Sequence, residues 1–197
     1  MQTLAQVATA SGLGAALLLV AGGLGHARGA RAFAEVLGRQ QLVPPSLRRA
    51  VAVTIGPAEI VLGGTAVVTW SAAPQRAAAA LAVVAGCYAV FGCYTAAVKV
   101  RAPSAPCGCF GDGGPVTTLV VARAWVLAVA TGVAAIAVAI GAPTPLSARL
   151  WLLAPAVLVA SAGRLVPLDS TFGRPTGVVT DMSVSRESEP DAPSTSV

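Results

Sequence analysis

Residues 106–114, PCGCFGDGG, place Cys107 and Cys109 on the two sides of one glycine. A disulfide between cysteines this close would close a small, strained ring, which is easily reduced and suits exchange better than permanent cross-linking. A helix that begins near Pro115 would point its free amides at this turn and favour a thiolate. The stretch therefore predicts a thiol–disulfide exchange site.

Two other interpretations of the cysteine pair stay open. Thiolates also bind soft metals such as Cu(I) or Zn. No His or Met lies close by in the sequence to complete such a site, so we expect no metal here. The cysteines can also be inert loop residues, because small buried cysteines are common in proteins.

The composition places the chain in a membrane. Of 197 residues, 55% are hydrophobic and 11% are charged, with a mean hydropathy of +0.76, whereas soluble domains carry about 25% charged residues. Lipid offers no hydrogen-bond partners to the backbone, so a chain crosses it as helices or as a β-barrel. The sequence lacks the short segments of alternating hydrophobicity that are typical of a β-barrel, so helices are expected. The net charge of +5 comes from arginines at segment ends and in loops, so we expect no nucleic-acid partner.

Five apolar runs approach the roughly 20 residues that span a hydrocarbon core. They predict an all-α fold: a polytopic transmembrane bundle of four core helices and a fifth helix, forming one domain over residues 1–168. Residues 169–197 are polar and predict a flexible tail. The five runs cover about residues 4–25, 50–70, 77–98, 116–140 and 146–166.

The basic residues predict the orientation. Loop one, about residues 26–49, and loop three, between the third and fourth runs, must lie on the same side of the bilayer, and both carry more positive charge than loops two and four. The positive-inside rule therefore places them in the cytoplasm, with the N-terminus outside and the tail inside. The segment RAFAEVL in loop one predicts a short amphipathic helix on the membrane surface.

Glu59 and Arg123 are ionisable residues inside predicted spans. Glu59 follows Pro57 in the second run and Arg123 lies about two turns into the fourth, so their depths are similar and they can meet. An intramembrane carboxylate is costly unless it is paired, which predicts a role in shaping a local field or a proton path. The alternative is a structural ion pair that fixes two helices.

The remaining chemical groups converge on the same end of the predicted bundle. Cys87 and Cys93 lie on one helix about 9 Å apart, too far for a disulfide, but Cys93 can meet Cys107 or Cys109 as an electron relay. The sequence thus predicts a site at one end of the bundle, whichever way the protein is inserted. Its members are His26, Glu59, Cys93, Cys107, Cys109 and Arg123.

Several of these features in combination resemble the MauE family of methylamine utilisation proteins, part of a wider DoxX-like group of four-helix membrane proteins. The resemblance covers about residues 4–140 and rests on PCGCFGD between two apolar helices, on LVPPSLRRAVAVTIGPAEIVLGG and on VARAWVL. The residues that carry the motif are Glu59, Cys107, Cys109, Phe110, Gly111 and Arg123.

The resemblance implies a multi-pass protein of the bacterial inner membrane. It implies that the protein helps to mature a disulfide-rich periplasmic dehydrogenase subunit, beside a thioredoxin-like protein. A quinone is a candidate terminal electron partner, although no residue in the sequence demands one. Two other functions stay open: a non-enzymatic assembly factor whose cysteines are incidental, and a small-molecule transporter that uses Glu59 and Arg123.

Overall fold

A computed structural model describes residues 2–108 and 114–140 of the chain. Over this part the protein folds into five helices, and four of them are long and apolar enough to cross a membrane, which confirms the predicted all-α transmembrane bundle. The predicted fifth span, 146–166, and the predicted tail, 169–197, lie outside the described residues. The helices are α1 (Gln2–Arg28), α2 (Ala30–Gln40), α3 (Pro45–Ala72), α4 (Pro74–Arg101) and α5 (Thr118–Ile140).

The four long helices form a closed ring. Helix α1 packs against α3 and α5, and α4 packs against the same two helices, so α1 and α4 lie diagonally across the bundle. The hydroxyl of Tyr88 on α4 crosses that diagonal and donates a hydrogen bond to the Ala15 carbonyl, at 2.7 Å. Helix α1 is the most enclosed of the four, while α3, α4 and α5 expose many valines and isoleucines that are suited to contact lipid.

Small residues bring the backbones of the helices together. Inside lipid the hydrophobic effect does not drive one helix onto another, so close packing does this work, and it is easiest where side chains are small. A Cβ atom on Gly63 of α3 would lie only 2.5 Å from the Ala16 carbonyl of α1, and one on Gly12 would collide with Ala134 of α5. Helix α3 meanwhile continues through Pro57 without a break.

Helix α2 confirms the short helix predicted in loop one. Its exposed face carries Arg31, Glu35 and Arg39, and its inward positions follow the helical period at Phe33, Val36, Leu37 and Gln40. Since α2 packs against the first turns of α3, it folds back over the end of the bundle. It therefore acts as a cap over that end.

The base of the cysteine loop is also ordered by the fold. An isolated antiparallel bridge pairs Pro106 with Pro115, and the Cys107 amide donates a hydrogen bond to the Gly114 carbonyl at 2.8 Å. Gly108 has φ +72°, the left-handed region that favours glycine. A Cβ atom there would approach the Val36 side chain to 2.7 Å, so the loop packs closely on α2.

Candidate functional site

A buried histidine–glutamate pair lies at the capped end of the bundle. Nδ1 of His26, in the last turn of α1, is 2.8 Å from Oε2 of Glu59 on α3. His26 is 8% exposed and Glu59 is 3% exposed, so the pair is almost fully shielded from the surroundings. Two ionisable side chains at this depth are tolerated because each satisfies the other.

Glycines set the distance at which the pair can form. A Cβ atom on Gly23 of α1 would lie 2.6 Å from the Gly56 carbonyl and 2.8 Å from Cβ of Glu59. A Cβ on Gly56 would in turn meet the Ala27 backbone nitrogen at 2.6 Å. Only glycine fits at both positions, so the backbones of α1 and α3 approach closely enough for the carboxyl group to reach the imidazole.

The pair opens onto a cavity of about 120 Å³. All five helices and the base of the cysteine loop contribute to its walls, which are mostly apolar. The residues in its walls that carry polar groups are His26, Gln40, Glu59, Tyr88, Tyr94, Thr95, Cys107, Thr117 and Arg123. A partly enclosed apolar space with a few convergent polar groups is the usual form of a small-molecule site.

Gln40 fastens the cysteine loop to the cap. Its Nε2 donates to the Pro106 carbonyl at 2.8 Å and to the Cys107 carbonyl at 3.2 Å. Its Oε1 accepts a hydrogen bond of 2.6 Å from the Tyr94 hydroxyl on α4. One amide, 2% exposed, thus joins α2, α4 and the loop, and holds the backbone of Cys107 in place.

The start of α5 is fixed beside the loop as well. The Val120 amide donates to Oγ1 of Thr117, which acts as the N-terminal cap of α5. Lys99, near the end of α4, donates to the hydroxyl of Thr118. These contacts join the end of α4 to the start of α5. They therefore fix the first turns of α5, which carry Arg123, beside the cavity.

The structure brings together four of the predicted site residues: His26, Glu59, Cys107 and Arg123 all line the cavity. The sequence predicted Arg123 as the partner of Glu59, but the ion pair that the structure describes for Glu59 is with His26. His26 was predicted in the site, in an electrostatic or proton-path role with Glu59 and Arg123, but was placed just after the first run and not in the helix. Because α1 extends to Arg28, His26 belongs to the helix and faces α3.

The other cysteines have different positions. Cys93 is exposed on α4 and is not among the described residues that line the cavity, although its neighbour Tyr94 is. Cys87 is partly buried against the main apolar cluster of the bundle. Cys109, Phe110 and Gly111 lie outside the described residues.

Gln40 and Tyr94 are site residues that the sequence reasoning missed. The signal for Gln40 was present, because a glutamine at position 40 continues the inward period of 33, 36 and 37 on an otherwise apolar helix face. Tyr94 gave no comparable signal, since a tyrosine is ordinary in a membrane helix. Within residues 2–108 and 114–140, no group of three or more His, Cys, Asp or Glu side chains could hold a metal ion.

A ring of four membrane-spanning helices, capped at one end by an amphipathic helix over a buried polar cavity, defines a multi-pass helical membrane protein with an internal site. The family model described as methylamine utilisation protein MauE matches residues 4–140. The chain therefore belongs to the MauE family. No curated protein and no solved structure shows a significant match to it.

Proposed function

We propose that this protein is a thiol–disulfide exchange protein of the bacterial inner membrane. It would act on a thioredoxin-like protein or a client whose disulfides it helps to mature, in methylamine utilisation. Cys107 and Cys109 would form the exchanging pair. The family assignment supports the role, and the surroundings of Cys107 support the chemistry.

The observation that carries this proposal is the position of Cys107. The residue is 9% exposed, lines the same cavity as His26 and Glu59, and has its carbonyl held by Gln40. Gln40 thus fixes the backbone that carries the thiol. A fixed backbone does suit a thiol that must meet a partner's sulfur atom in one geometry.

The proposed step exchanges two electrons. A thiolate of the Cys107–Cys109 pair attacks one sulfur of the partner's disulfide, which releases the partner's other sulfur as a thiolate and forms a mixed disulfide. The second thiol of the pair then attacks that mixed disulfide. The pair ends as a disulfide, and the partner ends as a dithiol that has gained two electrons and two protons. The reverse sequence would oxidise the partner.

Cys93 is not needed in this step. It was predicted as a relay, but it is exposed on α4 and separate from the cavity wall. We therefore propose that exchange runs through Cys107 and Cys109 alone. The exposed basic residues of α2, together with Lys99 and Arg101 at the end of α4, support a cytoplasmic position for this end of the bundle. The pair would then exchange directly with a thioredoxin-like protein on the cytoplasmic side, and its effect on a periplasmic client would be indirect.

The test uses cysteine variants in cells that depend on the protein for growth on methylamine. We expect the Cys107→Ser, Cys109→Ser double variant to abolish growth at unchanged membrane abundance. Each single variant should trap a mixed disulfide with a thioredoxin-like protein on non-reducing gels. Cys87→Ser is the matched control, because it removes a partly buried thiol outside the cavity, and it should leave growth intact.

A different result would favour the assembly-factor function. Normal growth of the double variant would show that the cysteines are incidental and would overturn the exchange proposal. Loss of growth accompanied by loss of the protein from the membrane would be resolved by Cys107→Ala, Cys109→Ala, which keeps small side chains without polar groups. Failure of that variant at normal abundance restores the exchange interpretation.

A further inference from the structure

The second nitrogen of His26 has no partner among residues 2–108 and 114–140. Nδ1 is bonded to Glu59, but Nε2 is buried with no hydrogen-bond partner in this part of the chain, and the residue lines the cavity. A buried polar atom left unpaired costs about 1–3 kcal/mol. Because His26 lines a cavity, this nitrogen is a candidate binding point for a ligand in that cavity.

The proton balance of the pair defines what Nε2 can bind. When the buried pair carries no net charge, the shared proton lies on Nδ1 or on the carboxyl group, and in both arrangements Nε2 carries a hydrogen and donates. In the neutral tautomer that carries its hydrogen on Nδ1, Nε2 is an acceptor instead. The matching ligand therefore offers an acceptor oxygen in one state and a hydroxyl donor in another.

The aromatic walls and the volume of the cavity indicate the size and shape of the ligand. The ring of Phe33 lies over His26 with centroids 4.5 Å apart, and the rings of Tyr88, Phe91 and Tyr94 form other parts of the wall. The volume of about 120 Å³ is similar to the roughly 150 Å³ of an apolar cavity that admits benzene. The space thus suits one planar six-membered ring between aromatic side chains.

We propose that this cavity binds the ring of a quinone, with one carbonyl oxygen accepting a hydrogen bond from Nε2 of His26. A quinol that arrives already reduced would bind in the same place by donating its hydroxyl to Nε2 in the tautomer where that nitrogen carries no hydrogen. Glu59 is then a positioning residue, since it fixes the orientation of the imidazole and the place of the shared proton. This inference goes beyond the proposed thiol exchange and needs no cysteine.

The test measures binding to the purified full-length protein in lipid nanodiscs. The two probes are duroquinone, which has no free ring position for a thiol to attack, and durene, which has the same ring and methyl groups without the carbonyls. We expect duroquinone to bind about 10-fold more tightly, which corresponds to about 1.4 kcal/mol. Equal binding of the two probes, or binding of neither, would overturn the proposal.

Two pairs of variants locate the ligand. His26→Phe keeps a ring but removes the donor, so it should reduce duroquinone binding to the level of durene. Leu127→Trp fills the cavity and should abolish binding, whereas its neighbour Val126 is 65% exposed, so Val126→Trp should bind normally. If the two tryptophan variants bind alike, the ligand lies elsewhere and the proposal is wrong.

Two further measurements separate this inference from the thiol proposal and identify the source of the ring. Duroquinone binding by the wild-type protein would support this inference even if the Cys107→Ser, Cys109→Ser variant grows normally and the thiol proposal fails, because the binding measurement involves no thiol chemistry. A quinone with a short isoprenoid tail that binds at least as tightly assigns the ligand to the lipid phase. If duroquinone binds but the tailed quinone does not, the ligand is a water-soluble cyclic carbonyl compound.

Discussion

The two ends of the helical bundle are built in different ways. At the end away from the cysteine loop, Leu13, Trp70 and Ala77 form a buried apolar cluster, and Gly12 lies directly against Ala134. At the loop end, the space between the helices holds the His26–Glu59 pair and a cavity. At the loop end α1 and α3 still touch at Gly23 and Gly56, but a cavity remains between these two helices and α4 and α5.

The difference teaches how a small membrane bundle can hold a polar site. Where glycine and alanine face each other, the backbones touch and no space remains for a ligand. Where Tyr88, Phe91 and Arg123 line the interior, a cavity remains between the helices, and Phe33 and Gln40 of α2 form part of its wall. The indole nitrogen of Trp70 is also buried without a partner in the described part of the chain. It lies within the packed cluster, not in the wall of the cavity, so it does not define a second site.

The largest expected effect comes from breaking the tightly packed contacts. Gly63→Leu should destabilise the protein by about 3 kcal/mol, because overpacking a close helix contact forces the backbones apart. Gly64→Leu is the matched control, since a side chain added at Gly64 would meet nothing within 4 Å. The measurement is unfolding in mixed detergent, and equal stability of the two variants would contradict the packing described here.

The next effect concerns the buried pair. His26→Leu should cost about 2 kcal/mol, because it leaves the carboxyl group of Glu59 without its partner in a buried position. Glu59→Leu should cost about the same, and the double variant less than the sum, because the two residues interact directly. A double-mutant cycle between Glu59 and Arg123 should show a smaller coupling energy than the cycle between His26 and Glu59. A larger coupling with Arg123 would restore the pairing that the sequence predicted.

The smallest effect concerns the hydrogen bonds from Gln40 to the carbonyls of Pro106 and Cys107. Gln40→Leu should cost about 1 kcal/mol, because it removes the donor from two loop carbonyls. In a variant whose only cysteine is Cys107, this change should speed alkylation of the thiol by about 5-fold, the factor that 1 kcal/mol represents. Arg39→Gln, on the exposed face of α2, should leave the rate as it was. An unchanged rate in Gln40→Leu would show that these hydrogen bonds do not restrain the loop.

The sequence predicted most of the architecture because the relevant signals are local. Each span is a continuous apolar run, and the period of positions 33, 36 and 37 is enough to define α2 as a helix with an inward face. The convergence of His26, Glu59, Cys107 and Arg123 on one end was also predictable, since the order of spans decides which ends meet. The MauE family match over residues 4–140 agrees with the motif that the sequence displays.

The pairing within the site could not be predicted in the same way. Depth estimates along separate helices placed Glu59 and Arg123 near one level, and chain order placed His26 at the same end. Neither argument carries information about the rotation of one helix relative to another. The rotation and stagger of α1 relative to α3 were decided by the close contact of Gly23 with Gly56. That contact brings the carboxyl group of Glu59 within hydrogen-bond distance of His26. The hydrogen bonds of Gln40 and the cavity depend likewise on α2 folding back over the bundle. The sequence alone therefore determined the spans and the end at which the chemistry lies, because those follow from local composition and chain order. Only the tertiary structure decided which side chains touch, because that depends on how closely two backbones can approach.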